Sequence, residues 1–500
     1  MKTQSKKMLS VLMLLAGSLL VGFSAGRWLA PLAAWIGPVL IMRYYRDHKA
    51  GRGYLLIIAA HILAFLIGFG GMWFKEWGVG MLVGLDILYA FLWSLPYLAD
   101  RLISPKFQGF SSTFVYPLAA VILDFINMNT NPIGNWGATG YTQYGNLPLM
   151  QLVSVTGMTG ITFLMGWFAS VANWSWENRS RQKQIARSVG AFGTIFALVY
   201  IFGFARLNLS PLSETEETIR VAGITTATQG ELYEMAGGYE AWLTNPDSPA
   251  SQSAVQARWD AYFAETVREA KAGAQLVMWN EVAGLTSASA LPSMTAKAQD
   301  IAKQNNIYLA IQLAVFHPSD TKKPYELKLL LIDPSGANLF EHIKYGGALI
   351  APNMLKGDGK LKTANTPFGV LSAVICWDAD YPAILRQAGQ NGTGLMLVPS
   401  SDRISYDPIH TYMAVFRAIE NGMSLVRQTE FGLSMAVDPY GRVLAQTDFF
   451  GATDRTLVAQ VPVKHVSTIY TLFGHYFEWV CLAGFLYLVA RAVLTRRQTN

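Results

Sequence analysis

The sequence predicts a polytopic α-helical membrane domain joined to an extracytoplasmic α/β domain. Three observations carry that reading. The 500 residues are 52% hydrophobic and only 14% charged, with a mean hydropathy of +0.26, a balance too apolar for an ordinary soluble chain. The apolar residues crowd 8–206 and 477–494, whereas 207–475 has a soluble composition. Within that soluble part, strand patterns alternate with helix patterns and several strands are apolar throughout, as in sheets buried on both faces.

A span needs ~20 mostly apolar residues to cross ~30 Å of hydrocarbon. Eight runs approach that length: approximately 8–26, 28–43, 54–74, 79–98, 110–127, 149–172, 189–206 and 477–494. Each is expected to be helical, because lipid cannot satisfy an open backbone. Lys and Arg then set the orientation. They collect at the N-terminus (Lys2, Lys6, Lys7) and in the loop after the second run (Arg43, Arg46, Lys49, Arg52). They recur after the fourth run (Arg101, Lys106), after the sixth (Arg179, Arg181, Lys183, Arg187) and at the C-terminus (Arg491, Arg496, Arg497). The alternate loops hold only Arg27 and Lys75, and none in 128–148. The alternation predicts both termini in the cytoplasm and residues 207–475 on the far side. The expected division is a seven-span domain over 1–206, a catalytic domain over 207–475, and a last span with a cytoplasmic tail over 476–500. The first run has the basic start of a signal peptide, with "GFSAG" as a weak cleavage site. It is read as retained, because it is long and flows directly into the second.

Few charges lie inside the runs, and Asp86 and Asp124 are the main exceptions. An intramembrane acid is a functional candidate by default. The bland reading, preferred here, gives each a hydroxyl or backbone partner inside the bundle. The polar, glycine-rich loop "MNTNPIGNWGATGYTQYGNLP" (128–148) falls on the same side as the soluble domain, where it can line a shared site.

Composition also excludes classes. The net charge of +6 comes from loops between spans, with no basic stripe interleaved with aromatics, so nucleic acid is not an expected partner. Two cysteines far apart, Cys376 and Cys481, make no disulfide framework. The seven histidines show no ligand spacing, and His410 in "DPIHTYM" reads as lining or capping a helix start. "GDG" at 357–359 is a turn signal and no phosphate loop stands out. Neither metal nor cofactor is expected.

The soluble part reads in order. "TIRVAGITTA" is a strand, "ARWDAYFAETVREAKAG" an amphipathic helix ended by glycine, and "AQLVMWNE" a short strand. "SMTAKAQDIAKQNN" is a helix and "IYLAIQLAVF" a strand. "LKLLLIDPSGANLFEHIK" is strand, turn and strand. "GVLSAVIC" is a strand, "YPAILRQAGQNG" a helix, "GLMLVPS" a strand and "HTYMAVFRAIENG" a helix. "SLVRQTE", "LSMAVDP" and "RVLAQTD" close the domain as strands.

Three chemical residues stand where strands end: Glu281 after "LVMWN", Lys344 after "LFEHI" and Cys376 after "LSAVI". Active groups collect at strand carboxyl ends in α/β sheets. A thiol needs a base, which Glu281 can supply as general base. Lys344 can stabilise the thiolate and then an oxyanion, with the Trp377 backbone N–H as a second donor. That set would perform acyl transfer through a thioester. Taken singly, each residue also has a bland reading, since a buried cysteine is commonly a small hydrophobe and a strand-end acid or lysine is commonly solvated. Spacing alone does not pair the three.

The motifs "WNE", "DPSG…HIK" and "ICWDADYP", with "FRAIENG…LVRQTEFGLSMAVDPYGRVLAQ" downstream, resemble the nitrilase, or carbon–nitrogen hydrolase, superfamily. Seven spans before such a domain and one after resemble the bacterial apolipoprotein N-acyltransferase family. So do "YGNLPLMQLVSVTGMTGITFL" (144–164) and "STIYTLFGHYFEWVC" (467–481). The resemblance implies a nitrilase-like αββα sandwich, a Glu281–Lys344–Cys376 triad, and Trp377 and Asp378 as oxyanion or substrate contacts. It implies a multi-pass protein of the bacterial inner membrane with a periplasmic catalytic domain, acting as a monomer. It also implies a phospholipid acyl donor, a Cys376 thioester and a diacylated lipoprotein amine as acceptor. The chain departs from the family pattern in places. Pro352 stands where a glutamate is usual after the lysine, and the next acid is Asp358. Trp377-Asp378 replaces Tyr-Glu, and Ser400 precedes Ser401-Asp402. These departures motivate the alternative of a membrane-anchored amidase or acyltransferase with another acceptor.

Overall fold

Apolar runs at the start of the chain become helices, because a backbone without water must satisfy its own N–H and C=O groups. The computed structural model describes residues 2–497 apart from 25, 73–77, 108, 210–217, 227–247, 318, 348 and 350. The chain divides into two units. One comprises 1–131, 135–210 and 473–500, and the other comprises 132–134 and 211–472.

In the first unit α1 is Lys2–Gly22, α2 Pro31–Arg46, α3 Ala50–Gly68, α4 Gly78–Ile103 and α5 Val115–Thr130. The short α6 (Leu147–Met150) and α7 (Val153–Thr156) precede α8 (Thr159–Glu177) and α9 (Gln182–Asn208), and the final helix, Tyr476–Arg497, belongs to the same unit. Among the described residues, five helices are long and apolar enough to cross a membrane, or six with the bent pair Leu147–Thr156 and Thr159–Glu177. All eight apolar runs fall on helices, of differing length. α2 has only 16 residues and ends on Arg43 and Arg46, and the apolar part of α1 is confined to Met8–Gly22. The run read as 149–172 is not one rod. It bends by 114° between α7 and α8, where Gly157 takes φ +67, a region open to glycine at no steric cost.

Polar pairs join these helices. The Thr162 hydroxyl donates to Asp124 at 2.6 Å and that of Thr159 to Glu478 at 2.7 Å. Arg46 makes a fork on Asp100, with N···O distances of 2.9–3.0 Å. Hydrogen bonds of this kind hold helices together where lipid offers no hydrophobic drive. The bland reading of Asp124 is the one the structure supports, and Asp86 is likewise buried.

Among the described residues the second unit builds two sheets from fourteen strands, β1 (Thr218–Ile224) to β14 (Leu457–Pro462). The first sheet runs β14-β1-β2-β4-β5-β6, where β5 is Tyr325–Ile332 and β6 Asn338–Ile343, with β3 (Gly284–Ser287) on β4 and β7 (Met354–Leu355) on β5; the second runs β13-β12-β11-β10-β9-β8, where β8 is Thr363–Thr366, β12 Leu433–Val437 and β13 Val443–Asp448. The parallel centre of the first is β1, β2 (Leu276–Trp279) and β4 (Tyr308–Phe316). That of the second is β9 (Gly369–Ala373), β10 (Leu395–Ser401) and β11 (Ser424–Glu430). Strands β2, β4, β10 and β11 are buried almost end to end, as strands covered on both faces must be. Helices α10 (Pro249–Lys271) and α11 (Leu291–Asn305) accompany the first sheet; α12 (Pro382–Gln390) and α13 (Ile409–Asn421) accompany the second. Two sheets with helices outside give the αββα sandwich. β14, absent from the sequence reading, closes the first sheet antiparallel to β1.

The "FRAIENG" segment is structural. Arg417 and Glu420 are each 1% exposed and paired within α13, and Gly422 ends that helix at φ +61. A Cβ there would lie 1.7 Å from the Val466 carbonyl oxygen, whereas one on Gly392 (φ +69) would meet nothing within 4 Å. Gly392→Ala is expected to lose about 1 kcal/mol to left-handed strain alone. Gly422→Ala is expected to lose more than about 3 kcal/mol, and chemical denaturation of both variants checks the difference.

Candidate active site

The three strand-end residues come together. Glu281 lies two residues past β2 and Lys344 one residue past β6 (Asn338–Ile343). Cys376 does not close its strand as the sequence suggests. β9 ends at Ala373, and Cys376 opens a one-turn 3₁₀ helix, Cys376–Asp380, with φ +48. A non-glycine residue in that region costs energy and is held by its surroundings.

The Lys344 Nζ donates to Glu281 Oε1 at 2.5 Å, and the Ser401 backbone N–H donates to Glu281 Oε2 at 3.0 Å. The Glu281 N–H donates in turn to the Ser400 carbonyl at 3.3 Å. One carboxylate thus ties the end of β2 in the first sheet to the end of β10 in the second. Burial works against the Lys344 charge, but Glu281 and then Cys376 hold its pKa well above the ordinary value. The Cys376 thiol is fully buried. Burial first, and then the Glu281 charge, push its pKa well above the usual thiol range, outweighing the pull of Lys344 and Arg427. These surroundings favour a neutral thiol next to a carboxylate, an arrangement suited to proton transfer from thiol to base.

Asp378, read from the sequence as a possible substrate contact, is occupied otherwise. Its carboxylate is fully buried and accepts from the N–H groups of Tyr345 (2.9 Å), Gly346 (2.6 Å) and Ile375 (3.0 Å). His342 Nε2 lies 2.8 Å from Oδ2, the oxygen that also accepts from Ile375. Burial alone would raise the Asp378 pKa, but His342 and these amides hold it below the usual range. It is a positioning residue that fixes the turn after Lys344 against the turn carrying Cys376. Trp377 remains at the thiol, 6% exposed, with its ring edge-on to Tyr406 and His410. The loop after Lys344 is short and closed, because the Gly357 N–H returns to the Lys344 carbonyl at 2.8 Å. Asp358, the acid nearest Pro352, caps its own turn through Lys360 N–H at 2.9 Å.

Behind the thiol lies a network the sequence reading missed. His410 does not cap its helix. Its Nδ1 is 2.7 Å from Asp402 and its Nε2 2.9 Å from Asp380, and the Arg427 Nη2 donates to Asp402 at 2.8 and 3.1 Å. All four side chains are buried. With His410 protonated, it and Arg427 stand against the two carboxylates, the kind of pairing that makes buried charge tolerable. Burial raises the Asp402 pKa, but Arg427 and then His410 bring it down to about 2. Burial and Arg427 lower the His410 value, and Asp380 with Asp402 overcome them to hold it above normal. Tyr406, 5% exposed, has its phenol pushed well up, by burial first and then by the Asp402 charge. The ligand atoms of Cys376, Asp402 and His410 lie within 4.8 Å of one another. They do not suit a metal, because Arg427 already bonds Asp402 and stands 2.9 Å from His410 Nδ1.

Known proteins resemble both parts of the chain. The family description "Carbon-nitrogen hydrolase" matches residues 241–470, and "Apolipoprotein N-acyltransferase N-terminal domain" matches 16–171. An apolipoprotein N-acyltransferase of Geobacter metallireducens is 24% identical over 96% of this chain and 94% of its own length. Along most of its length the chain resembles the apolipoprotein N-acyltransferases. One from Rhodopseudomonas palustris is 28% identical over 73% of this chain and 69% of its own. An amidase structure from Nesterenkonia sp. is 22% identical, covering 51% of this chain and 94% of that one, with a TM-score of 0.39. With such relatives and its apolar helices, the chain is an inner-membrane protein. Gln312, which accepts from the Val282 N–H beside the base, had no signal in the sequence, since a buried strand glutamine looks like any polar interruption.

The buried network predicts pH behaviour. Stability from the raised His410 is full below its ordinary 6.5 and fades as pH rises through the folded value. Stability from the lowered Asp402 is full above its ordinary 3.8 and is lost as pH falls toward about 2. Thermal unfolding should show His410→Gln weaker than wild type by roughly 3–5 kcal/mol near pH 6, with the gap narrowing toward alkaline pH. For Asp402→Asn the gap should narrow on acidification instead.

Proposed function

We propose that the protein transfers a fatty acyl group from a phospholipid, through a Cys376 thioester, to the α-amine of a lipoprotein's N-terminal cysteine. The observation that carries this reading is the Glu281 carboxylate, fixed by Lys344 and Ser401 beside a protonated thiol. In the first half-reaction, Sγ attacks the ester carbonyl and its proton passes to Glu281. The oxyanion is held by the Lys344 ammonium and the Trp377 N–H, as preorganised donors require. The C–O bond breaks, and the leaving lysophospholipid oxygen takes the proton back from Glu281. In the second half-reaction, the acceptor amine attacks the thioester, Glu281 removes its proton, and the C–S bond breaks to return the thiol.

An amine is favoured over water as acceptor. The N-acyltransferase relatives match along most of the chain, whereas a deaminated glutathione amidase of Dictyostelium discoideum matches over only 29% of it. The positive loops support a periplasmic catalytic unit, cytoplasmic termini and division near 206 and 476. A monomer is sufficient, since all three reacting groups come from one chain.

Purified full-length protein, supplied with phospholipid vesicles and a diacylated lipopeptide, should yield the triacylated product by mass spectrometry. Cys376→Ser should yield none, and Glu281→Gln should fall by about 10²–10⁴. A Cys376→Ser protein that still forms product, or a wild type that releases only free fatty acid, would contradict the proposal.

A further inference from the structure

A second site lies in the first unit and shares no residue with the acyl-transfer site. A cavity of about 970 Å³ opens between α1, the α2–α3 turn and the end of α8. Its apolar wall comes from Leu9 and Met13 of α1, Leu56 of α3 and Trp176 of α8. Its polar side holds Arg43, Lys49, Arg52 and Arg179. Arg43 is countered by Asp47 and by Glu177, the latter at 3.5 Å. Among the described residues no carboxylate pairs with Lys49, Arg52 or Arg179, so the cavity carries a net positive charge.

Two buried hydroxyls make this more than a basic rim. Tyr44 is 1% exposed and lines the cavity, and its Oη has no hydrogen-bond partner among the described residues. The Ser10 Oγ, also on the lining, is in the same condition. An unsatisfied buried hydroxyl destabilises a fold, so this pair is best explained by a ligand that accepts from it. His48 stacks on the Tyr44 ring at 4.2 Å and fixes where that hydroxyl points.

We propose that this cavity binds an anionic phospholipid. Its phosphate and second anionic group would meet the unpaired cations and accept from Tyr44 and Ser10, while an acyl chain would follow the Leu9, Met13, Leu56 and Trp176 wall. The volume is of ligand size and far larger than a free phosphate needs. The cations belong to the loops that the positive-inside rule places in the cytoplasm, where basic pockets between helices collect anionic headgroups. The inference rests on the membrane reading of this unit and is independent of acyl transfer.

Native mass spectrometry of the full-length protein in neutral detergent tests it, with phosphatidylglycerol and phosphatidylcholine added in turn. Phosphatidylglycerol should be retained preferentially. A Lys49→Gln/Arg52→Gln/Arg179→Gln variant, changed only at exposed positions, should bind it on the order of a hundredfold more weakly, at ~1 kcal/mol for each cation. Tyr44→Phe, which keeps the ring, should weaken it roughly fivefold. This single-atom variant decides the matter if the triple variant loses its fold. Equal retention of both lipids, or unchanged binding in the folded variants, would overturn the proposal. Displacement of the lipid by inorganic phosphate would overturn it in favour of a free-anion site.

Discussion

The catalytic unit depends on one buried carboxylate. Glu281 accepts from Lys344 at one oxygen and from the Ser401 amide at the other, and by doing so joins the carboxyl ends of two sheets. A buried charge without a partner costs several kcal/mol, so the ion pair has to form wherever the sandwich forms. Its position then sets everything near it. In the proposed mechanism the Glu281 charge favours a protonated Cys376 thiol and later takes its proton, and Lys344, which steadies that carboxylate, meets the oxyanion.

A second constraint is charge balance around the thiol. Asp402, His410, Arg427 and Asp380 form a neutral, fully buried set behind Cys376, while Asp378 pins two turns to each other through three amides and His342. These groups touch no reacting atom in the mechanism proposed. They hold the strained Cys376 backbone and exclude stray charge from a site whose chemistry depends on the placement of single protons. The helical unit follows the same rule in lipid: its buried acids Asp124 and Glu478 each meet a threonine hydroxyl.

Much of this was legible in the sequence for identifiable reasons. Alternating basic loops and apolar runs foretold the helical unit, and uninterrupted apolar strands foretold sheets covered on both sides. Glu281, Lys344 and Cys376 were visible because each follows a strand that the pattern terminates clearly. What escaped depends on distant pairing. Asp402 follows β10 and Arg427 lies on β11, both distant in sequence from Cys376, and nothing local announces that His410 sits between two carboxylates. Asp378 read as an oxyanion or substrate contact, and only the fold shows three amides converging on it. β9 was drawn too long because Val374 and Ile375 are apolar and extended, although the strand ladder stops at Ala373. The bend at Gly157 was hidden because hydropathy records composition and not direction.

The central claim is that Cys376 rests as a neutral thiol, held so in part by the Glu281 charge, and reacts by giving its proton to that residue. The pH dependence of Cys376 alkylation by a small neutral electrophile, read by intact-protein mass spectrometry, tests it most directly. The account predicts slow alkylation of wild type near neutrality, rising only under alkaline conditions. It also predicts an earlier onset in Glu281→Gln, even though that variant transfers acyl groups poorly. A wild-type thiol that titrates below pH 7, or an onset unmoved by Glu281→Gln, would contradict it.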